Sequence, residues 1–266
     1  MKKSCVALCM ISLLMVGVFA SSSYSQSMED IVAIWLFDEG NGKTASDSVG
    51  GHHGDIIGSP VWVDGQFGKA LQFPGTQGDY VSVSHKNPLT LSNWTITAWV
   101  KVVESTWTTP CQIFMRKADP GNIRNYSIKV LENASRPLQM EFTVGAGVFR
   151  EVSGTTQMTD DNWHHIAGTY DQSVERVYLD GVMEGEVAYT DKADTNTGPL
   201  TIGASFEGAC PVNGVIDDVG LFKRALKEGE IAGIMNNGLA GLAAVDATGK
   251  LATTWAALKE LAFKGK

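Results

Sequence analysis

The sequence predicts an all-β fold, a sandwich of two antiparallel sheets, and three observations carry that expectation. Residues 161–181, DNWHHIAGTYDQSVERVYLDG, hold two short runs rich in β-branched and aromatic residues, Trp163–Tyr170 and Val174–Leu179, separated by polar residues able to turn. The second run ends in Asp180-Gly181, a dipeptide suited to the φ > 0 positions of a type I′ turn, so Val182–Ala188 returns as a third strand. Elsewhere short apolar runs recur at regular spacing between Gly, Pro and Asn, and none of them carries a helical period. Alternation puts Val177 and Leu179 on one face of the meander and Arg176 and Tyr178 on the other, so one side meets a core and the other solvent or ligand.

The first strand is read at residues 31–37, before a polar, Gly-rich loop over 38–54 that contains Asp47-Ser48 and His52-His53. Adjacent histidines on such a loop lack the spacing that aims two imidazoles at one ion, so the stretch reads as a solvated loop. Strands follow at 71–73, 79–83, 95–102 and 112–117, with Trp62 before the first and Trp107 before the last. Three more, at 125–131, 138–144 and 148–152, are punctuated by Pro137 and Gly145-Ala146-Gly147. After the meander, 199–205 and 212–222 supply two further strands, and 226–235 is a short helix closed by Asn237-Gly238, whose Gly takes the left-handed C-cap. Beyond Gly241, Leu251, Trp255, Leu258 and Ala262 recur at i, i+4, i+7 and i+11, an amphipathic helix that docks on its own domain or on a protein partner.

Length and composition bound the function. The 266 residues, 44% hydrophobic and 19% charged, suit one large β domain with extensions. Met1-Lys2-Lys3, the apolar run 6–19 and Val18-Phe19-Ala20 read as a secretory leader over 1–27, which leaves a domain over 28–240 and a helical tail over 241–266. No later segment reaches the ~20 apolar residues of a membrane span, so the expected destination is periplasm, cell surface or medium. Loss of Lys2 and Lys3 takes the formal charge from −8 to −10. No basic run interleaved with aromatics points to nucleic acid. Cys5 and Cys9 leave with the leader. Cys111 and Cys210 remain, and an isolated pair in an oxidising compartment most often forms a disulfide, the alternative being two separate thiols.

The motif Trp163-His-His-Ile-Ala-Gly-Thr-Tyr-Asp171, followed by Val177-Tyr-Leu-Asp-Gly181, resembles the central signature of the laminin-G-like jelly-roll domains of the concanavalin-A-like lectin and glucanase superfold. Further landmarks are Trp35-Leu-Phe-Asp-Glu-Gly40, Tyr80-Val-Ser-Val83, Thr95-Ile-Thr-Ala-Trp-Val100, Leu200-Thr-Ile-Gly203 and Ile216-Asp-Asp-Val219 leading to Arg224-Ala-Leu226. Together they cover roughly residues 30–238 in that family's order. The resemblance implies a two-sheet jelly roll, a fold that hosts unrelated functions. It also implies a structural calcium site, in which an Asp of the last strand joins ligands from the loop after the first.

Asp217 matches that last-strand position and shares a strand face with Val215, Val219 and Leu221, where a carboxylate needs hydrogen bonds or a cation to be tolerated. Asp38 or Glu39 matches the loop, Asp79 is a weaker third ligand, and backbone carbonyls would complete the oxygen shell Ca²⁺ prefers. A hydrogen-bonded Asp without metal is the other reading. The Glu-x-Asp-x-x-Glu strand of the related endoglucanases, which brings two carboxylates to a glycosidic bond, is absent. Glu184 and Glu186 share a strand face, but that spacing also suits an ordinary exposed strand. His164 and His165 alternate within a strand, one near the core and hydrogen-bonded, one on the surface. No Gly-x-Ser-x-Gly elbow or Cys/His pair supports a nucleophile.

The expected function is therefore non-catalytic binding, with glycan or extracellular polysaccharide as the ligand class implied by the resemblance. The alternatives are a structural or adhesive protein that binds protein partners, and a glycan-active enzyme. A sugar site needs an aromatic platform with convergent hydrogen bonders, and Trp107, Arg116, Tyr126 and Arg150 are its candidates on or beside strands of the sheet expected to be concave.

Overall fold

Alternating apolar residues on short strands can be buried only by facing a second sheet, and the chain does this twice over its length. A computed structural model describes residues 28–104, 111–121, 123–131, 137–145, 147–206 and 208–246. The strands are β1 (Ile31–Trp35), β2 (Thr44–Ala45), β3 (Gly54–Ile57), β4 (Val61–Asp64), β5 (Lys69–Pro74), β6 (Tyr80–Val83), β7 (Trp94–Val102) and β8 (Cys111–Ala118). They continue as β9 (Arg124–Leu131), β10 (Leu138–Val144), β11 (Val148–Ser153), β12 (Trp163–Tyr170), β13 (Val174–Leu179), β14 (Val182–Ala188), β15 (Leu200–Ile202) and β16 (Asn213–Phe222). Sheet I runs β14-β13-β12-β7-β16-β5-β4, with β1 also on β16, and sheet II runs β11-β10-β9-β8-β15-β6-β3-β2. Neighbours such as β7 and β16, far apart in sequence, give the crossed connections of a jelly roll.

The core lies between the sheets and is densest in aromatics. Trp94 is fully buried, with ring centroids 4.8 Å from Tyr170, 5.5 Å from Phe142 and 5.8 Å from Tyr126. Such pairs contribute about 0.5–1.5 kcal/mol each beyond their buried area. β12, β13 and β14 pair in sequence as the expected meander, with a register irregularity between Val177 and Tyr178, and Asp180 and Gly181 take φ of 50° and 78°, as a type I′ turn requires.

A second apolar layer covers the outer face of sheet I. There Ile31, Ile34, Ala167, Tyr178 and Phe222 pack against Leu226, Ile231, Ile234 and Leu239, carried by and beside helices α1 (Glu228–Asn237) and α2 (Ala240–Asp246). Tyr178, expected on a solvent or ligand face, is buried in this layer. Gly238 ends α1 and donates its N–H to Ile234 O, but at φ 69° and ψ −178° it lies outside the left-handed helical conformation expected of it. Leu239 and Ala243 are buried in the same cluster, so the packed domain runs past the expected boundary at 240.

The loop over 38–54 is more ordered than its composition suggests. β2 forms within it and pairs with β3, which starts at its end, and buried Asp47 accepts backbone N–H groups from Ile34, Val49 and His52. The two histidines stay apart in role, His52 buried and His53 exposed. Cys111 and Cys210 are disulfide-bonded with Cα atoms 5.1 Å apart, closing 99 residues of chain. The expected leader over 1–27 and the helix carrying Trp255 lie outside the described residues, among which no helix is long and apolar enough to cross a membrane.

Candidate functional site

Four strands of sheet II present a polar outer face because their alternation sends every second residue away from the core. Tyr126, Ile128 and Val130 of β9 and Met140 and Phe142 of β10 point inward, which turns Ser127, Lys129 and Glu141 outward. On β8 a bulge between Ile113 and Met115 puts both Phe114 and Met115 into the core and leaves Arg116 outward. Register then aligns Arg116, Ser127, Glu141 and Glu151 in one row across β8, β9, β10 and β11.

Three cations converge on the single buried carboxylate of that row. Arg116 Nη2 donates to Glu141 Oε1 at 3.0 Å, Arg124 Nη1 shares that oxygen, and Lys129 Nζ donates to Oε2 at 2.7 Å. Arg116 Nε also donates to Ser127 Oγ at 3.1 Å. Burial pushes the Arg116 guanidinium down to about 10, and the neighbouring charge of Arg124 adds to it. Burial acts to raise Glu141, but Lys129, Arg116 and Arg124 outweigh it and hold the carboxyl below its ordinary range.

Beside this cluster lies a depression of about 350 Å³. Arg116, Asp119, Arg124, Ser205 and Phe206 are among its walls. Phe206 is 38% exposed and Phe149 41% exposed, the latter with the Arg124 guanidinium carbon 4.5 Å from its ring centre. Apolar rings bordering convergent donors and a carboxylate make a surface able to stack and hydrogen-bond a small polyol.

Of the residues expected at a sugar site, Arg116 lies in the wall of this depression. Tyr126 does not: it is fully buried, packs on Trp94 and donates its hydroxyl to Leu89 O at 2.8 Å, so it belongs to the core. Arg150 lies on the core-facing side at the sheet edge, bound to Asp191 at 2.6 Å and held over Tyr189, away from the row. Trp107 lies outside the described residues. Sequence reasoning missed Arg124, Lys129, Glu141, Phe149 and Phe206. Alternation against Ile128 and Val130 was the available signal for Lys129 and against Tyr126.

The expected metal residues share a second acidic locus on sheet I. Asp217 Oδ2 accepts Phe67 N–H at 2.9 Å and Asp38 Oδ1 accepts Lys69 N–H at 2.7 Å, so the two carboxylates bracket one loop. Asp217 Oδ1 is buried without a hydrogen-bond partner. Burial pushes Asp217 up to about 7 and Asp218 up to about 6. Among the described residues, however, no three His, Cys, Asp or Glu converge as a metal-holding group. Asp79 accepts Ser59 N–H and the Thr76 hydroxyl elsewhere.

Several other titratable groups are tied into the scaffold, while both oxygens of buried Glu175 lack a hydrogen-bond partner among the described residues. One histidine is buried and the other partly exposed, as expected, but the hydrogen bonds fall to the more exposed one: His164 lies between Asp180 at 2.7 Å and Asp160 at 3.1 Å, whereas His165 is buried against Trp99 with no hydrogen bond from its ring. Glu184 accepts from Thr155 and Thr156, and Glu186 pairs with Arg176. A groove of about 670 Å³ on sheet I is walled by Arg176 and Arg224, each already paired with carboxylates.

Residues 74–232 match a family model described as the concanavalin A-like lectin/glucanases superfamily. Domain 4 of AbnA, an extracellular arabinanase of Geobacillus stearothermophilus solved with arabinotriose, superposes with TM-score 0.61 at 19% identity over 77% of this chain and 98% of that domain. The binding domain of Paraclostridial Mosquitocidal Protein 1 gives 0.63 at 16% identity over 79% of this chain and 52% of that one. A botulinum neurotoxin DC binding domain solved with SialylT gives 0.60 at 12% identity over 79% and 52%. Adhesion G-protein coupled receptor V1 of Danio rerio is 25% identical over 182 residues, 63% of this chain and 3% of the receptor. The chain thus spans a small fraction of that curated relative.

Proposed function

The chain belongs to the concanavalin A-like lectin/glucanases superfamily, and on that footing we propose that it is an exported, non-catalytic module that binds glycans on the outer face of sheet II. The observation that carries the reading is the depression bordered by Phe206 and Arg116, where an exposed ring meets buried, oriented donors. A structural neighbour solved with arabinotriose and another solved with SialylT support the ligand class. The disulfide supports an oxidising destination. Glu141 supports the non-catalytic reading, because a carboxylate held ionised by three cations has no proton to give a leaving group.

A glycan array on the full chain tests this. Phe206→Ala should weaken retained ligands about tenfold, or about 1.4 kcal/mol, with unchanged melting. Ligands insensitive to Phe206→Ala would move the site elsewhere. An empty array with specific protein capture would favour the adhesive alternative.

Calcium at Asp217 is part of the same proposal, supported by the orphaned buried Oδ1, an oxygen donor of the kind a hard cation takes. Asp217 would hold the ion with backbone carbonyls, and its role is structural. A carboxyl raised in the folded state contributes stability at low pH that is lost as pH climbs from about 4 toward 7. In chelator, melting should therefore fall across that window, and above it calcium should restore stability, by about 2.7 kcal/mol at a hundredfold excess over Kd. Asp217→Asn should abolish the calcium response and flatten the slope above pH 6, where Asp218 has titrated. Identical wild-type curves in calcium and chelator would exclude the ion.

A further inference from the structure

The outer face of sheet II runs against the charge of the molecule. The whole chain carries a formal −8, yet this row collects Arg116, Arg124 and Lys129 around one carboxylate. Both oxygens of Glu141 are already occupied, Oε1 by two guanidinium groups and Oε2 by the ammonium. Lys129 Nζ has three donors, one of which reaches Glu141. Arg116 directs Nε to Ser127 and Nη2 to Glu141, and Nη1 has no acceptor among the described residues. Glu151, next in the row, is exposed, and Asp119 at the rim accepts Ile123 N–H. The Arg116 guanidinium thus keeps donors that neither Ser127 nor Glu141 takes, at the wall of a depression of about 350 Å³.

We propose that this depression is an acidic-sugar subsite, in which Arg116, supported by Lys129, binds the carboxylate or sulfate of a charged saccharide whose ring lies on Phe206. The inference rests on the glycan-binding reading and adds the charge of the ligand. Guanidinium groups bind such anions in bidentate, charge-assisted pairs, and an acidic surface elsewhere repels other anions, so selectivity is local. Glu141 acts as an internal anion that orders the cations when the site is empty.

Titration calorimetry on the full chain tests it, with galacturonate oligomers, their neutral methyl esters, and sulfated and unsulfated galactan oligomers as probes. The free acid or the sulfate should bind at least tenfold more tightly than its neutral counterpart, and binding should weaken with salt. Which of the two does so identifies the anion. Arg116→Gln should weaken the acidic probe at least tenfold, while Glu141→Gln, by removing the internal anion, should tighten it. A purely structural cluster would make both variants bind worse, which overturns the proposal, as does equal affinity for charged and neutral oligomers. Phe206-dependent binding of neutral probes alone would leave the glycan reading standing without the charge. No binding of any probe would overturn both.

Discussion

Glu141→Ala should destabilise the protein by about 3–5 kcal/mol, because it removes the carboxylate that Arg116 and Lys129 share in a nearly water-free place. Glu141 is 1% exposed, so solvent cannot take over the carboxylate's role. Urea unfolding should show a lower midpoint with unchanged slope, since the change alters stability and not the surface exposed on unfolding. Replacing Arg116, Lys129 and Glu141 together by Met, Met and Leu should cost less than Glu141→Ala alone, because the two cations that lose their carboxylate in the single variant are then removed with it. A cost under about 1 kcal/mol for Glu141→Ala would mean that water enters the cluster.

Opening the disulfide comes next in size. Chain-entropy reasoning assigns about 4.7 kcal/mol to closing a loop of about 100 residues, and measured losses on removing native bridges run from about 2 to 5 kcal/mol; the loop here spans 99 residues. Thiol counting on the unfolded, unreduced protein should find neither Cys111 nor Cys210 free, and Cys111→Ser with Cys210→Ser should lower the melting temperature. Cys210 and Ala209 share the loop of Phe206, and Ile113 N–H donates to Cys210 O at 3.0 Å, so the bridge pins the ring of the proposed ligand site to β8. Reduction should therefore weaken glycan binding as well as stability. A reduced protein that melts lower yet binds unchanged would separate Phe206 from the site.

Strand content was readable because alternation is local. Thr95 to Val102, Leu138 to Val144 and the meander each declare a period of two within a few residues, and β7, β10 and β12 appear where expected. The same period placed Tyr126 with Ile128 and Val130, and giving that residue a ligand role set its chemistry above its position. β2, β3 and β4 escaped notice because two to four residues are too few to show a period, and their order comes from Asp47, from the hairpin of β4 with β5 and from pairing of β3 with the more distant β6.

By itself the sequence determined the two-sheet architecture, the Asp180-Gly181 turn, the end of α1 at Gly238 and the two cysteines available to bridge, all properties of short segments or of residue chemistry. The tertiary structure alone decided which polar residues meet. Arg116 and Glu141 are 25 residues apart. They meet because a bulge on β8 resets its facing by one residue and two strand registers then bring one row into line. Tyr178 was likewise settled at a distance, when α1 from beyond β16 covered its face of sheet I. Register and covering layers are long-range choices, fixed by which pairings bury the most apolar surface across the whole chain, and no local pattern carries them.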